Sequence, residues 1–347
     1  MQSDEKARLS GSAVELSRTF LAPFRAGGVL CLVVFAISAS IALGWSKVRG
    51  AQVPVQPARV AVWLSDRDGD QVYGLDRELL VVNSVALRAP IEVEARADGG
   101  AWIVSSIDAD PLGPHRLLRL LHDGRLVARA PLGPILDLDC DELGRAIVVD
   151  IVGPGARVSV FDADASAAWT RAWPGALCAA AALGHCLVGT QTGDLVLFDL
   201  NAPLAAPLRS NFGGGISDVA PGPSPGKWWV LDSHGACRLA LVDWNLSVLW
   251  SRSVGLHALH LAPVAGLERV WIADTTQPHV RRFGPAGVLE LDRPNMPLGG
   301  LDRGCSTAVG TALFPAPGAL LRLDGQGQNM PGQAGFDFLV DVSAVRG

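Results

Sequence analysis

The stretch WWVLDSHGACRLALVDWNLSVLW, residues 228–250, sets the frame for the whole chain. Trp228–Asp232 is a short, continuous apolar run closed by an acid. Such a run, bounded by turn residues, reads as a strand. Ser233 to Ala236 supply a turn, and a second run from Cys237 ends at Asp243. Trp244 and Asn245 open the next turn, and a third run starts at Val248. Three strands joined by tight turns form an antiparallel meander. Side chains alternate along a strand, so the adjacent Trp228 and Trp229 point to opposite faces of their sheet; packing between blades is the main reading, and ligand stacking by one of them the other.

The same order recurs along the chain. First strands are AVWLSD (Ala61–Asp66), AWIVSS (Ala101–Ser106), AIVVD (Ala146–Asp150), CLVGT (Cys186–Thr190), WWVLD and VWIAD (Val270–Asp274), with a weaker TAVGTALF (Thr307–Phe314). Second strands follow in step, among them QVYGLD, RVSVFDAD, DLVLFDL and ALLRLDGQG. Each unit closes with a third strand, a Pro or Gly break and a fourth apolar strand. The central residues Trp63, Ile103, Val148, Val188, Val230, Ile272 and Val309 are 40, 45, 40, 42, 42 and 37 positions apart. A period in this range marks a repeat architecture, and four short strands per unit specify a β-propeller blade. The expected fold class is therefore all-β. Seven blades fit between residues 58 and 347, or six if the last unit is only a cap. The C-terminal AGFDFLVDVSAV (Ala334–Val345) is expected to pair beside Val62–Ser65 and close the ring, leaving no sheet edge open.

Two kinds of repeat resemblance run through these units. VWIADTTQPHVRRFGPAGVLE (Val270–Glu290) resembles an NHL repeat, with Gln277-Pro278-His279 where that family has Asn-x-Arg. CRLALVDWNLSVLWSRSVG (Cys237–Gly255) and RVSVFDADASAAWTRAW (Arg157–Trp173) look like PQQ-type repeats. The resemblance implies a propeller. NHL-like propellers include binding scaffolds, lyases and lactonase-like hydrolases. PQQ-like ones include quinone dehydrogenases and cofactor-free assembly proteins. Fold alone does not choose among them.

The N-terminal part has a different character. Residues 27–45, GGVLCLVVFAISASIALGW, form an uncharged run long enough to cross a bilayer as a helix. Lys6, Arg8, Arg18 and Arg25 precede it, while Lys47, Arg49 and Arg59 follow. This small excess of basic residues favours a cytoplasmic N-terminus. The expected organisation is a cytoplasmic tail (1–26), a transmembrane signal anchor (27–45), a Pro-containing linker (46–57) and a propeller (58–347). The propeller would then lie on the periplasmic or extracellular side of the cytoplasmic membrane. Cleavage near Ser38-Ala39-Ser40 is the alternative, and would make the protein secreted.

Composition narrows the function. Hydrophobic residues make up 49% of 347, and the net charge of −5 offers no basic surplus for nucleic acid. There is no P-loop, HExxH or CxxCH. Five cysteines lie outside the apolar run; Cys178 and Cys186 are close enough to meet across a hairpin, and buried packing is the other reading.

The fourth strands should be innermost and line the central channel. On that reading Glu92, Glu94, Asp137, Asp139, Asp218, His257 and Asp302 approach one axis. The candidate ligand or metal set is Glu92, Asp137, Asp218, His257 and Asp302. Carboxylates with a His suit a divalent cation such as calcium, or a basic ligand. The bland reading is an ordinary polar channel mouth. His257 and His260 form an HxxH, but on a strand they point to opposite faces. Asp66 to Asp70 resembles a calcium loop without its Gly and Glu, and reads better as a turn.

The leading expectation is a non-catalytic membrane-anchored propeller that binds or scaffolds a protein partner, within a membrane complex and with no cofactor. The alternative is a metal-assisted hydrolase or lyase using the acidic channel.

Overall fold

The structure is a computed structural model. It describes residues 59–345 except 109, 111, 234–236, 256–259, 275–277, 299–302, 308, 309 and 338. The expected tail, transmembrane helix and linker lie outside the described residues. Among the described residues, no helix is long and apolar enough to cross a membrane.

Seven four-stranded antiparallel sheets form the blades of a propeller. Blade 1 is a composite. Its inner strand is Leu339–Ala344, and Val62–Asp66, Gln71–Leu75 and Val81–Ala86 follow outward. The closing pair is antiparallel, with Val62 opposite Ala344 and Ser65 opposite Asp341. In chain order the other inner strands are Pro90–Ala95, Ile135–Cys140, Ala176–Ala182, Ile216–Pro221, His260–Pro263 and Cys305–Ser306, which define blades 2 to 7.

Burial explains why the first strands of the sequence units, which are the second strands of each blade counted outward from the axis, were the readable ones. Val62–Asp66, Ala101–Ser106 and Val270–Asp274 are buried at every position, because blades pack against both of their faces. Outer strands alternate; Ala167–Ala172 runs exposed, exposed, half-buried, exposed, half-buried, exposed. Trp228 packs between blades 4 and 5, while Trp229 packs between blades 5 and 6.

Seven hydrophobic clusters fill the seven junctions between neighbouring blades. The last of these joins blade 7 to blade 1 through Leu313 and Leu320 against Leu64 and Val342. A fully buried side chain of this size contributes about 1.5–3 kcal/mol, so ring closure is a packing event as well as a hydrogen-bonding one.

The acids ending second strands are structural. Buried Asp150 takes a two-pronged contact from Arg157 (2.9 and 2.5 Å) and also accepts the Gly133 N–H at 2.9 Å. Asp66 accepts the N–H groups of Gly69 and Asp337. Asp66 thereby ties its turn to the connection entering blade 1, and Asp150 ties the strand Gly155–Phe161 to the connection entering blade 3.

Two of the sequence markers shift. In the strand register the position equivalent to Val230 is Leu64 in blade 1, next to Trp63, and Phe314 in blade 7. Blade 7's second strand is Ala312–Ala316; Val309 lies outside the described residues. Cys178 and Cys186 are not bonded to each other; register sets Cys178 opposite Gly189 and Cys186 opposite Ala181.

Candidate functional site: the central channel

Five inner strands carry a register shift at the same place. It falls between Pro90 and Glu92, Ile135 and Asp137, Ala176 and Cys178, and Ile216 and Asp218, and at Asp341 in the closing strand. A bulge adds one residue and re-aims the next side chain. Directly after it stand Glu92, Asp137, Cys178, Asp218 and Asp341. In the same register blade 6 places His260, opposite Ala273, and blade 7 places Arg303, two residues before Cys305. One level of the channel is thus a ring of Asp341, Glu92, Asp137, Cys178, Asp218, His260 and Arg303.

Glu92, Asp137 and Asp218 therefore come together, as the inner-strand reading expects. His257 and Asp302 lie outside the described residues. The ring also holds Arg303, Asp341 and His260, which were not in the candidate set. LVDV in the closing strand matches the pattern of ILDLD in blade 3, and that was the available signal for Asp341. Arg303 follows Asp302 of the candidate set directly in sequence.

Arg303 reaches across the channel. Its Nη1 lies 2.5 Å from an Asp137 oxygen, and its Nη2 lies 3.3 Å from Glu92. Nη1 and Nη2 also approach the carbonyls of Leu138 and Leu136, each at 3.5 Å. The Glu92 and Arg303 side chains keep 12% and 24% exposure, and Arg303 lines the channel cavity.

Most ring acids are also committed to the neighbouring blade. Asp341 accepts the Val93 N–H at 2.8 Å, Asp137 accepts the Ala179 N–H at 2.5 Å, and Asp218 accepts the Leu261 N–H at 2.7 Å. One level up, Ser343 accepts the Ala95 N–H and Asp139 the Ala181 N–H. Blades 1, 3 and 5 are thereby tied to blades 2, 4 and 6.

Electrostatics follow from this crowding. Burial raises the Asp218 pKa from 3.8 to about 7 and that of Asp341 to about 6, against the opposing pull of Arg303. Glu92 and Asp137 are raised too, by burial first, and neighbouring carboxylates add to the shift. Burial works against the Arg303 charge, yet Asp137, Glu92, Asp341 and Asp218 outweigh it and hold its pKa well above the guanidinium norm. A single guanidinium does not neutralise four carboxylates, so the ring keeps protons up to near-neutral pH.

From the ring a cavity of about 510 Å³ extends toward the turns between inner and second strands. Glu94 and Asp139 line it on blades 2 and 3, and Ala180, Ala220 and Ala262 line it on blades 4 to 6. Among the described residues, no three His, Cys, Asp or Glu side chains are grouped to hold a metal ion. Gly222-Pro223-Ser224-Pro225-Gly226 spells GxSxG, but Ser224 is exposed in a strand-to-strand turn. The strand-to-helix elbow that arms such a serine is missing there.

These features define the class: a closed seven-bladed propeller with an arginine-spanned acidic axis. No protein-family model matches the chain, and no curated protein does. Solved propellers do. A functionally unknown protein from Desulfotomaculum acetoxidans superposes with TM-score 0.67 at 12% identity, covering 82% of this chain and 98% of that one. Apo AztD from Citrobacter koseri gives 0.60 at 14%, covering 82% and 97%. BamB from Moraxella catarrhalis gives 0.53 at 15%, covering 82% and 88%. Likeness at these identities establishes the fold.

Proposed function

We propose that the chain is a non-catalytic propeller, anchored through residues 27–45, that binds or scaffolds a protein partner within a membrane complex on the periplasmic or extracellular side. The observation that carries this reading is the commitment of the axis. A propeller enzyme would assemble its reactive groups there. In this chain Arg303 spans the channel, and Asp137, Asp218 and Asp341 spend oxygens on main-chain N–H groups of neighbouring blades. These carboxylates hold one blade to the next, a structural task that accounts for their place on the axis. The likeness to BamB from Moraxella catarrhalis is compatible with a role in protein interaction.

The test is purification of the full-length chain from membranes in mild detergent. A second protein at stoichiometric yield is expected, and recovery of the chain alone would count against the proposal. Metal analysis of the same sample addresses the hydrolase or lyase alternative. A stoichiometric cation, lost on combining Asp137→Asn with Asp218→Asn, would favour it.

A further inference from the structure

We infer that the propeller face bearing the inner-to-second and third-to-outer turns rests on a lipid bilayer, with leucines at the turn tips entering it. This rests on the anchored reading above.

In an antiparallel four-stranded blade, both kinds of turn lie at the same end of the sheet. On that face stand Leu204 (96% exposed), Leu143 (71%), Leu80 and Val288 (58% each), Leu183 (51%) and Leu267 (45%). They come from blades 1, 3, 4 and 6, and so are spread around the ring. Among the described residues, the large exposed hydrophobics of the other face are Ile107 and Leu112 from one loop, and Ile151 and Val152 at the tip of one hairpin of blade 3. A lone exposed leucine is ordinary. Tips scattered around a circle are different, because one flat apolar partner can receive them all, whereas a groove-bound segment reaches a single sector.

Leu183 adds an independent sign. Its φ is +51°, a conformation that favours Gly or Asn. Leu79 and Leu246 share that conformation, with φ of +65° and +61°, but both are buried. Leu183 carries the same strain without gaining burial within the chain.

The polypeptide also joins the propeller on this face. Arg59 donates to the Ala97 carbonyl in the first turn of blade 2, and the chain preceding Arg59 contains the uncharged run Gly27–Trp45. Exposed acids on the same face, among them Glu78, Asp123 and Asp164, suit zwitterionic rather than anionic lipid. The opposite face, with Leu112, is then the one presented to a protein partner.

The experiment uses the full-length chain in phosphatidylcholine vesicles, recovered by flotation. Leu143→Cys, Leu204→Cys and Leu112→Cys each receive a nitrobenzoxadiazole label, and the unsubstituted chain sets the background from native cysteines. Nitroxide-bearing lipid should quench labels at 143 and 204 at least about twofold more than the label at 112. Equal quenching, or more at 112, overturns the inference while leaving the anchor standing. Labels at 143 and 204 that are shielded in native membranes yet unquenched in pure lipid overturn it in favour of a protein contact. A chain that does not float overturns the anchor, and the inference with it.

Discussion

Arg303 of blade 7 and Asp137 of blade 3 meet 2.5 Å apart across the propeller axis, joining residues 166 positions apart in sequence. The pair spans the channel rather than linking adjacent blades. It also connects the blade with the shortest strands, whose inner and outer members are Cys305–Ser306 and Asn329–Met330, to the opposite wall. Removing the guanidinium leaves four buried carboxylates facing one another. Arg303→Met is expected to lower stability by about 3–5 kcal/mol at neutral pH, read from urea unfolding. A loss under 1 kcal/mol would mean that the channel hydrates freely.

The ring also sets a pH dependence. Folded Asp218 and Asp341 titrate near 7 and 6, above their ordinary value of 3.8. A raised acid contributes stability that is complete below 3.8 and disappears as pH climbs through the folded value. The propeller should therefore lose stability between about pH 4 and pH 7. Asp218→Asn keeps an acceptor for the Leu261 N–H but does not ionise, so it should remove up to about 1.4 kcal/mol per pH unit from that slope. Depressed acids such as Asp98 and Asp292 act at the other end, because their contribution is lost as pH falls below 3.8. Melting curves across this range that are identical for the parent and the Asn variant would contradict the account.

Two buried tryptophans separate packing from hydrogen bonding. Trp102 Nε1 donates to the Gly144 carbonyl at 2.9 Å, and Trp228 Nε1 is buried with no partner among the described residues. Both rings are fully buried, so replacement by Phe leaves a similar void at each site. Trp102→Phe additionally removes one of the two donors to the Gly144 carbonyl, which keeps the Arg96 guanidinium, whereas Trp228→Phe removes an unsatisfied donor. Trp102→Phe should be the more damaging by about 1–2 kcal/mol, measured by denaturant unfolding of both variants.

Closure makes the C-terminus indispensable. Deleting residues 339–347 removes the inner strand of blade 1, the Asp341 and Ser343 ties to blade 2, and part of the cluster joining blades 7 and 1. Loss of the folded β signal in circular dichroism, and rapid proteolysis, are the expected outcome. Deleting residues 1–57 should leave both unchanged, since the seven core clusters lie beyond that point. A stable truncated ring would show that six blades close without the composite one.

Glu92, Asp137 and Asp218 were legible as channel residues because inner strands follow Pro or Gly breaks at a steady period. Asp341 belonged to the same pattern, but the closing strand drew attention for its pairing. Arg303 was harder. A two-residue inner strand gives no periodicity from which to fix a register, and Asp302 beside it was the more suggestive residue. Bulges compound the difficulty, since one extra residue inverts the alternation on which such a reading depends. The GxSxG of residues 222–226 shows the converse: a motif without its turn geometry carries no chemistry.

By itself the sequence determined the repeat, the doubly buried second strands and the closing strand, and it left six or seven blades open, a choice the seven sheets settle. Those properties are local: each follows from hydrophobic runs and turn residues within about 40 positions. The tertiary structure alone decided what meets on the axis, which acids bond to the next blade, and which face gathers the turn leucines. Residues from separate blades come together only when the ring closes, and bulges aim their side chains, so local pattern leaves both undetermined.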